Sequence, residues 1–91
     1  MIRSCKGKEA EKLLRRLPSR KFRSIENKAR AKLALLDAAT SLMDLRLPGL
    51  RLEKLGGDRA GEYSIRINDQ FRICFRWSEG DAYDVEITDY H

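Results

Sequence analysis

The spacing of apolar residues changes once along this chain, from steps of three and four in the first half to alternation in the second. Ala10, Leu13, Leu14 and Leu17 recur at helical spacing from about Gly7, with charged residues filling the other positions. Pro18 ends that helix, because a proline lacks the N–H and pushes the preceding residue out of the helical region. Ser19 is placed to cap a second helix. Its stripe of Phe22, Ile25, Ala29, Leu33, Leu36, Ala39 and Met43 predicts one continuous helix to about residue 45, before the turn chemistry of Pro48-Gly49.

The second half predicts strands. Leu50 to Leu55 alternates loosely, as a short edge strand would. Tyr63, Ile65 and Ile67 share one face, as do Phe71, Ile73, Phe75 and Trp77, and then Tyr83, Val85 and Ile87. Asn68-Asp69-Gln70 and Ser78-Glu79-Gly80-Asp81 supply the turns of an antiparallel meander. Ile2 to Cys5 reads as a brief initial strand. The predicted fold is α+β: one domain over residues 1–91, with a short N-terminal strand and two helices packed on one face of a mostly antiparallel three- to five-stranded sheet. The other face, carrying Arg66, Arg72 and Arg76, is expected to be at least partly open.

Composition narrows the partners. The chain of 91 residues is 42% hydrophobic and 36% charged, a globular balance with a lean core. No segment reaches the ~20 apolar residues of a membrane span, so neither export nor membrane insertion is expected and the expected location is the cytoplasm. Cys5 and Cys74 lack metal-ligand or disulfide-framework spacing and read as small hydrophobes. Residues 1–50 hold 13 Lys and Arg against 5 Asp and Glu, whereas residues 51–91 hold 6 against 9. A basic first half suits a partner rich in phosphate, and equally a solvated helix face.

The candidate chemistry is sparse. There is one histidine, His91, and no nucleotide fingerprint, catalytic triad or metal-ligand spacing, so no cofactor is expected. Gly56 to Gly61 lacks the ending and the following helix of a phosphate loop and reads as a turn. RNA cleavage needs few parts: removal of the 2′-hydroxyl proton, a proton for the leaving oxygen, and charge stabilisation at the phosphoryl oxygens. His91 is the acid–base candidate, Arg72 the phosphate-stabilising one, Tyr90 a base-stacking or hydrogen-bonding one, and Asp89 an orienting one.

Gly57-Asp58-Arg59-Ala60-Gly61, Tyr63-Ser64-Ile65, Gln70-Phe71-Arg72-Ile73-Cys74-Phe75 and the terminal Asp89-Tyr90-His91 together resemble the HigB-type toxins of the RelE superfamily. Leu35-Leu36-Asp37-Ala38-Ala39-Thr40 and the two preceding helices extend the resemblance over nearly the whole chain. It implies a RelE-like fold and a metal-independent, ribosome-dependent endoribonuclease of a bacterial toxin–antitoxin pair that cuts messenger RNA at the 30S decoding site. It also implies a HigA-like helix-turn-helix antitoxin, with operator DNA bound only through the antitoxin complex.

By position, the catalytic set implied by the resemblance is Arg72, Asp89, Tyr90 and His91. Lys28, Arg30, Arg66 and Arg76 are candidate contacts to messenger or ribosomal RNA. Where some relatives carry a histidine and a lysine before the Gly-Asp-Arg motif, this chain has Glu53 and Gly56, and Lys54 is the candidate replacement for the lost charge. Two alternatives share the scaffold: a ParE-like toxin acting on gyrase, and a non-catalytic RNA-binding domain.

Overall fold

The computed structural model describes residues 1–89; Tyr90 and His91 lie outside the described residues. Helix α1 spans Lys8–Leu14, α2 spans Glu26–Ala38, and the strands are β1 Glu53–Lys54, β2 Glu62–Arg66, β3 Phe71–Ser78 and β4 Asp81–Asp89. The strands form an antiparallel sheet in the order β1-β2-β3-β4. Ile2 and Cys5 bridge β4 in parallel, at Ala82 and Val85, so the predicted N-terminal strand is a bridged segment along the sheet edge. The α+β expectation is borne out.

Both helices end earlier than their apolar pattern suggests, each because the backbone finds other partners. At the end of α1 the Leu17 amide donates to the Lys12 carbonyl (2.8 Å) and the Arg16 amide to that of Leu13 (3.1 Å), with Arg16 at φ 60°. That is a Schellman ending with arginine at the position usually held by glycine. It turns Leu17 out to solvent, 49% exposed, although Leu17 continues the apolar stripe. Ser19 does not cap α2. Its Oγ donates to Glu9 (2.6 Å) and accepts from the Phe22 amide (3.3 Å), while its own amide donates to Glu26 (2.9 Å). The buried serine therefore joins both helices through the loop, and a 3-10 turn at Arg23–Ile25 leads into α2.

The predicted single helix to Met43 breaks after Ala38. Ala39 is extended, and the Asp44 carboxylate accepts from the Thr40 and Ser41 amides (2.9 and 3.2 Å), which starts a separate 3-10 turn at Leu42–Leu45. Thr and Ser compete with helical bonds through such local contacts. Met43, assigned to the stripe, is 71% exposed, and Leu45 takes the buried place instead.

One core lies between the helices and the sheet. Leu13, Phe22, Ile25, Ala29, Leu33 and Leu36 meet Ile65, Ile73, Phe75 and Val85 there. The β3–β4 register slips between Cys74 and Arg76, and Asp84 has φ 52°. This bulge spaces the buried Ala82 and Val85 three residues apart and puts Tyr83 opposite Arg76, on the other face. The expected grouping of Tyr83 with Val85 and Ile87 is therefore corrected, because alternation holds only along a regular strand.

Candidate active site around Arg72

The second sheet face is not open at its centre. Glu62, Ser64 and Cys74 are buried there, and Arg72 is only 9% exposed. Two segments cover this face. The first is the Gly57–Arg59 turn, which carries Arg59 across the strands, where it pairs with Glu62 of β2 (3.2 Å) and Glu86 of β4 (2.7 Å). The Glu86 contact holds the Arg59 guanidinium above its ordinary pKa, against the opposing effect of burial. The glycine segment is a turn, as its composition indicates, with Gly57 and Gly61 at φ 60° and 92°. Its arginine also ties β2 to β4 across β3.

The second covering segment is the link from Leu50 to Glu53. Arg51 adopts φ 45°, and its carbonyl accepts from Arg72 Nη2 at 2.6 Å. Arg72 Nε donates to Ser64 Oγ at 2.8 Å. Glu53 of β1 brings a carboxylate oxygen to 4.0 Å from Arg72 Nη2 while remaining largely in solvent. Thr88 stands across from Arg72 in the β3–β4 register, and its buried Oγ1 has no partner among the described residues. One end of this face thus gathers an oriented cation, an accessible carboxylate and a buried hydroxyl. Those are the functional types needed beside a phosphodiester.

The sequence-derived candidates are only partly brought together. Arg66 is the cross-strand partner of Arg72, on the same face, and is paired with Asp69. Arg76 lies farther along that face, exposed and 3.7 Å from Asp84. Lys54 pairs in register with Tyr63, and so points away from the face that holds Glu53, Ser64 and Arg72; it lines a separate cleft with Arg46 and Leu52. Asp89 is opposite Phe71 on the helix side and accepts from Gln70 Nε2 at 3.2 Å, so the sheet parts it from Arg72. Arg30 is occupied within the helical layer, donating to the Leu17 carbonyl (3.0 Å) and facing Glu26 (3.7 Å). Lys28 is exposed on α2. The Tyr90 and His91 assignments fall outside the described residues.

Sequence reasoning missed Ser64, Arg51 and Thr88 as partners of this site. Ser64 and Thr88 carry a readable signal, being polar positions in phase with Arg72. Arg51 carries none, since its contribution is a backbone carbonyl. The cysteines are free, Cys74 buried and Cys5 with its thiol pushed up by burial and then by Glu11. Such a thiol is mostly protonated and a weak nucleophile.

Known proteins resemble this chain in sequence and in fold. A model of the HigB-like toxins, RelE-like toxins of type II toxin–antitoxin systems, matches residues 7–91. Toxin HigB-1 of Vibrio cholerae serotype O1 is 47% identical over 75 residues, covering 81% of this chain and 75% of that protein. Endoribonuclease HigB of Proteus vulgaris is 38% identical over 60 residues, covering 66% of this chain and 65% of its own length. In structure, the chain resembles one in the YoeB-YefM complex from Staphylococcus aureus with a TM-score of 0.56 at 19% identity, over 100% of this chain and 98% of that one. That likeness concerns the fold.

Proposed function

The chain belongs to the HigB family of RelE-like toxins of type II toxin–antitoxin systems, and on that premise we propose that it cleaves messenger RNA at the ribosomal decoding site through the site around Arg72. It is a toxin whose partner is an antitoxin, and its activity is that of an endoribonuclease, as the name of the Proteus vulgaris relative supports. In this reading the antitoxin is a HigA-like helix-turn-helix protein, operator DNA is met only through the complex, and the toxin acts in the cytoplasm. No described helix is long and apolar enough to cross a membrane.

The observation that carries the site is the Arg72 guanidinium, buried and oriented by Ser64 and the Arg51 carbonyl, with Glu53 at 4.0 Å. A cation held in place before the reaction stabilises charge developing on the phosphoryl oxygens without reorganisation. Glu53 accepts the 2′-hydroxyl proton as the 2′-oxygen bonds to phosphorus. The bond to the 5′-oxygen breaks, and His91 donates the proton that oxygen needs, leaving a 2′,3′-cyclic phosphate and a 5′-hydroxyl. Thr88 Oγ1 is a further donor toward the phosphate. Tyr90 stacks on or hydrogen-bonds a base beside the cut, and Asp89, held by Gln70, anchors the segment that carries both.

Message 5′ ends mapped after induction, with and without translation, test this reading. Cuts confined to translated frames, lost in Arg72→Ala and in His91→Ala while the protein stays folded, are expected. Cleavage by the folded double variant, or intact message with DNA damage, overturns it, the latter in favour of a gyrase-directed toxin.

A further inference from the structure

A cleft of about 340 Å³ opens between α2 and the β2–β3 turn, lined by Lys28 and Lys32 from the helix and by Arg66 and Asp69 from the hairpin. Lys28, exposed, and Lys32, partly buried, are one helical turn apart and line the same cleft, so both ammonium groups reach the same side of α2. Arg66 links this cleft to the reaction centre, because it is the cross-strand partner of Arg72. Directly paired residues in an antiparallel sheet lie about 5 Å apart with side chains on one face. Cations from two separate elements thus continue the charge of Arg72 around the hairpin end.

We propose that this cleft is a phosphate-binding subsite for the same RNA strand that is cut at Arg72, holding the backbone next to the scissile phosphate. It rests on the RNA-cleavage reading for the strand's identity, but its geometry is independent of catalysis. Three positive groups face one carboxylate, Asp69, which is paired with Arg66 and almost fully in solvent. A phosphate takes the place of Asp69 on Arg66 and adds Lys28 and Lys32. Asp69 is therefore a built-in competitor, and removing it strengthens binding.

The test uses the full chain and a labelled 12-nucleotide single-stranded 2′-O-methyl RNA, which lacks the attacking hydroxyl, with affinity measured by fluorescence anisotropy across salt concentrations. Each neutralised phosphate on a single strand contributes a slope of about −0.7 in log affinity against log salt, so Lys28→Ala/Lys32→Ala lowers the magnitude of the slope by about 1.4. Asp69→Asn tightens binding roughly two- to fivefold, the size of one exposed ion pair. The control Lys6→Ala/Lys8→Ala removes the same charge from the segment that leads into α1.

An equal slope change in the control, or no tightening by Asp69→Asn, overturns the subsite. A loss by the Lys28/Lys32 variant seen only with 30S subunits and not with the oligonucleotide also overturns it, assigning those lysines to ribosomal RNA. Because the probe cannot be cut, these outcomes are separate from any failure of the cleavage assignment.

Discussion

Arg72 Nε donates to Ser64 Oγ at 2.8 Å, diagonally across β2 and β3, in a part of the sheet that is closed to water. That bond and the one to the Arg51 carbonyl set the plane of the guanidinium. Ser64→Ala removes one hydrogen bond from a buried charged donor, a loss of about 1–3 kcal/mol. Thermal or urea unfolding should show this loss in stability. Cleavage should fall further than stability accounts for, with the effect on kcat larger than on KM, because orientation matters most in the transition state.

Glu53, the proton acceptor of the proposed reaction, lies 4.0 Å from Arg72 and is accessible. Glu53→Gln keeps the shape and removes the basicity, so the rate should drop by about 10²–10⁴, the usual contribution of general base catalysis. Stability to urea should stay near that of the parent while kcat falls in the same variant, an outcome that a purely structural role for Glu53 would not produce. Lys54→Ala, on the opposite face, should leave kcat in place.

Arg16 sits at φ 60° in the ending of α1. A residue with a Cβ is strained there by roughly 1 kcal/mol relative to glycine. Arg16→Gly is expected to raise the melting temperature by about 4–8 °C per kcal/mol gained, less whatever the added freedom of the unfolded chain takes back. Calorimetry reads this directly.

Three carboxyls are held below their ordinary pKa: Glu9 by its bond from Ser19 and then by Lys12, Asp44 by the Thr40 and Ser41 amides, and Asp81 by Arg3 and the amino group of Met1. Lowered values mean the folded state gives up protons more readily than the unfolded one. Their stabilising effect is therefore complete above the ordinary carboxyl range near pH 4, and it is lost as pH falls through the lowered values. Asp44→Asn should unfold at lower urea than the parent at pH 7, and the gap should narrow toward pH 3.

Arg59 bridges Glu62 and Glu86, and thereby β2 and β4. Glu86→Gln removes the charge from the shorter contact and leaves a half-buried guanidinium under-compensated, so destabilisation of about 1–3 kcal/mol is expected by chemical denaturation. Arg59→Met, which takes the shared cation from both the buried Glu62 carboxylate and Glu86, should cost more than Glu86→Gln.

Much of the fold was legible because it rests on local rules. Three-and-four spacing placed α1 and α2, alternation placed β2 and β3, and Asn68 announced its turn by accepting from the Gln70 and Phe71 amides. The errors also have local causes in three dimensions. Met43 and Leu17 fit the apolar period but are exposed, since competing backbone bonds end the helices first. Tyr83 changes face because the bulge at Asp84 adds a residue that no alternation pattern shows.

The amino-acid sequence by itself determined the helix-then-sheet order, the resemblance to HigB-type toxins and the choice of Arg72 as the central cation. Tertiary structure alone decided that Arg72 is buried and oriented, that Glu53 shares its face, and that Lys54 and Asp89 do not. The physical reason is register: one residue along a strand reverses a side chain's face. What covers that face is a backbone carbonyl at Arg51 and a turn bearing Arg59, neither of which is encoded by spacing within the strands.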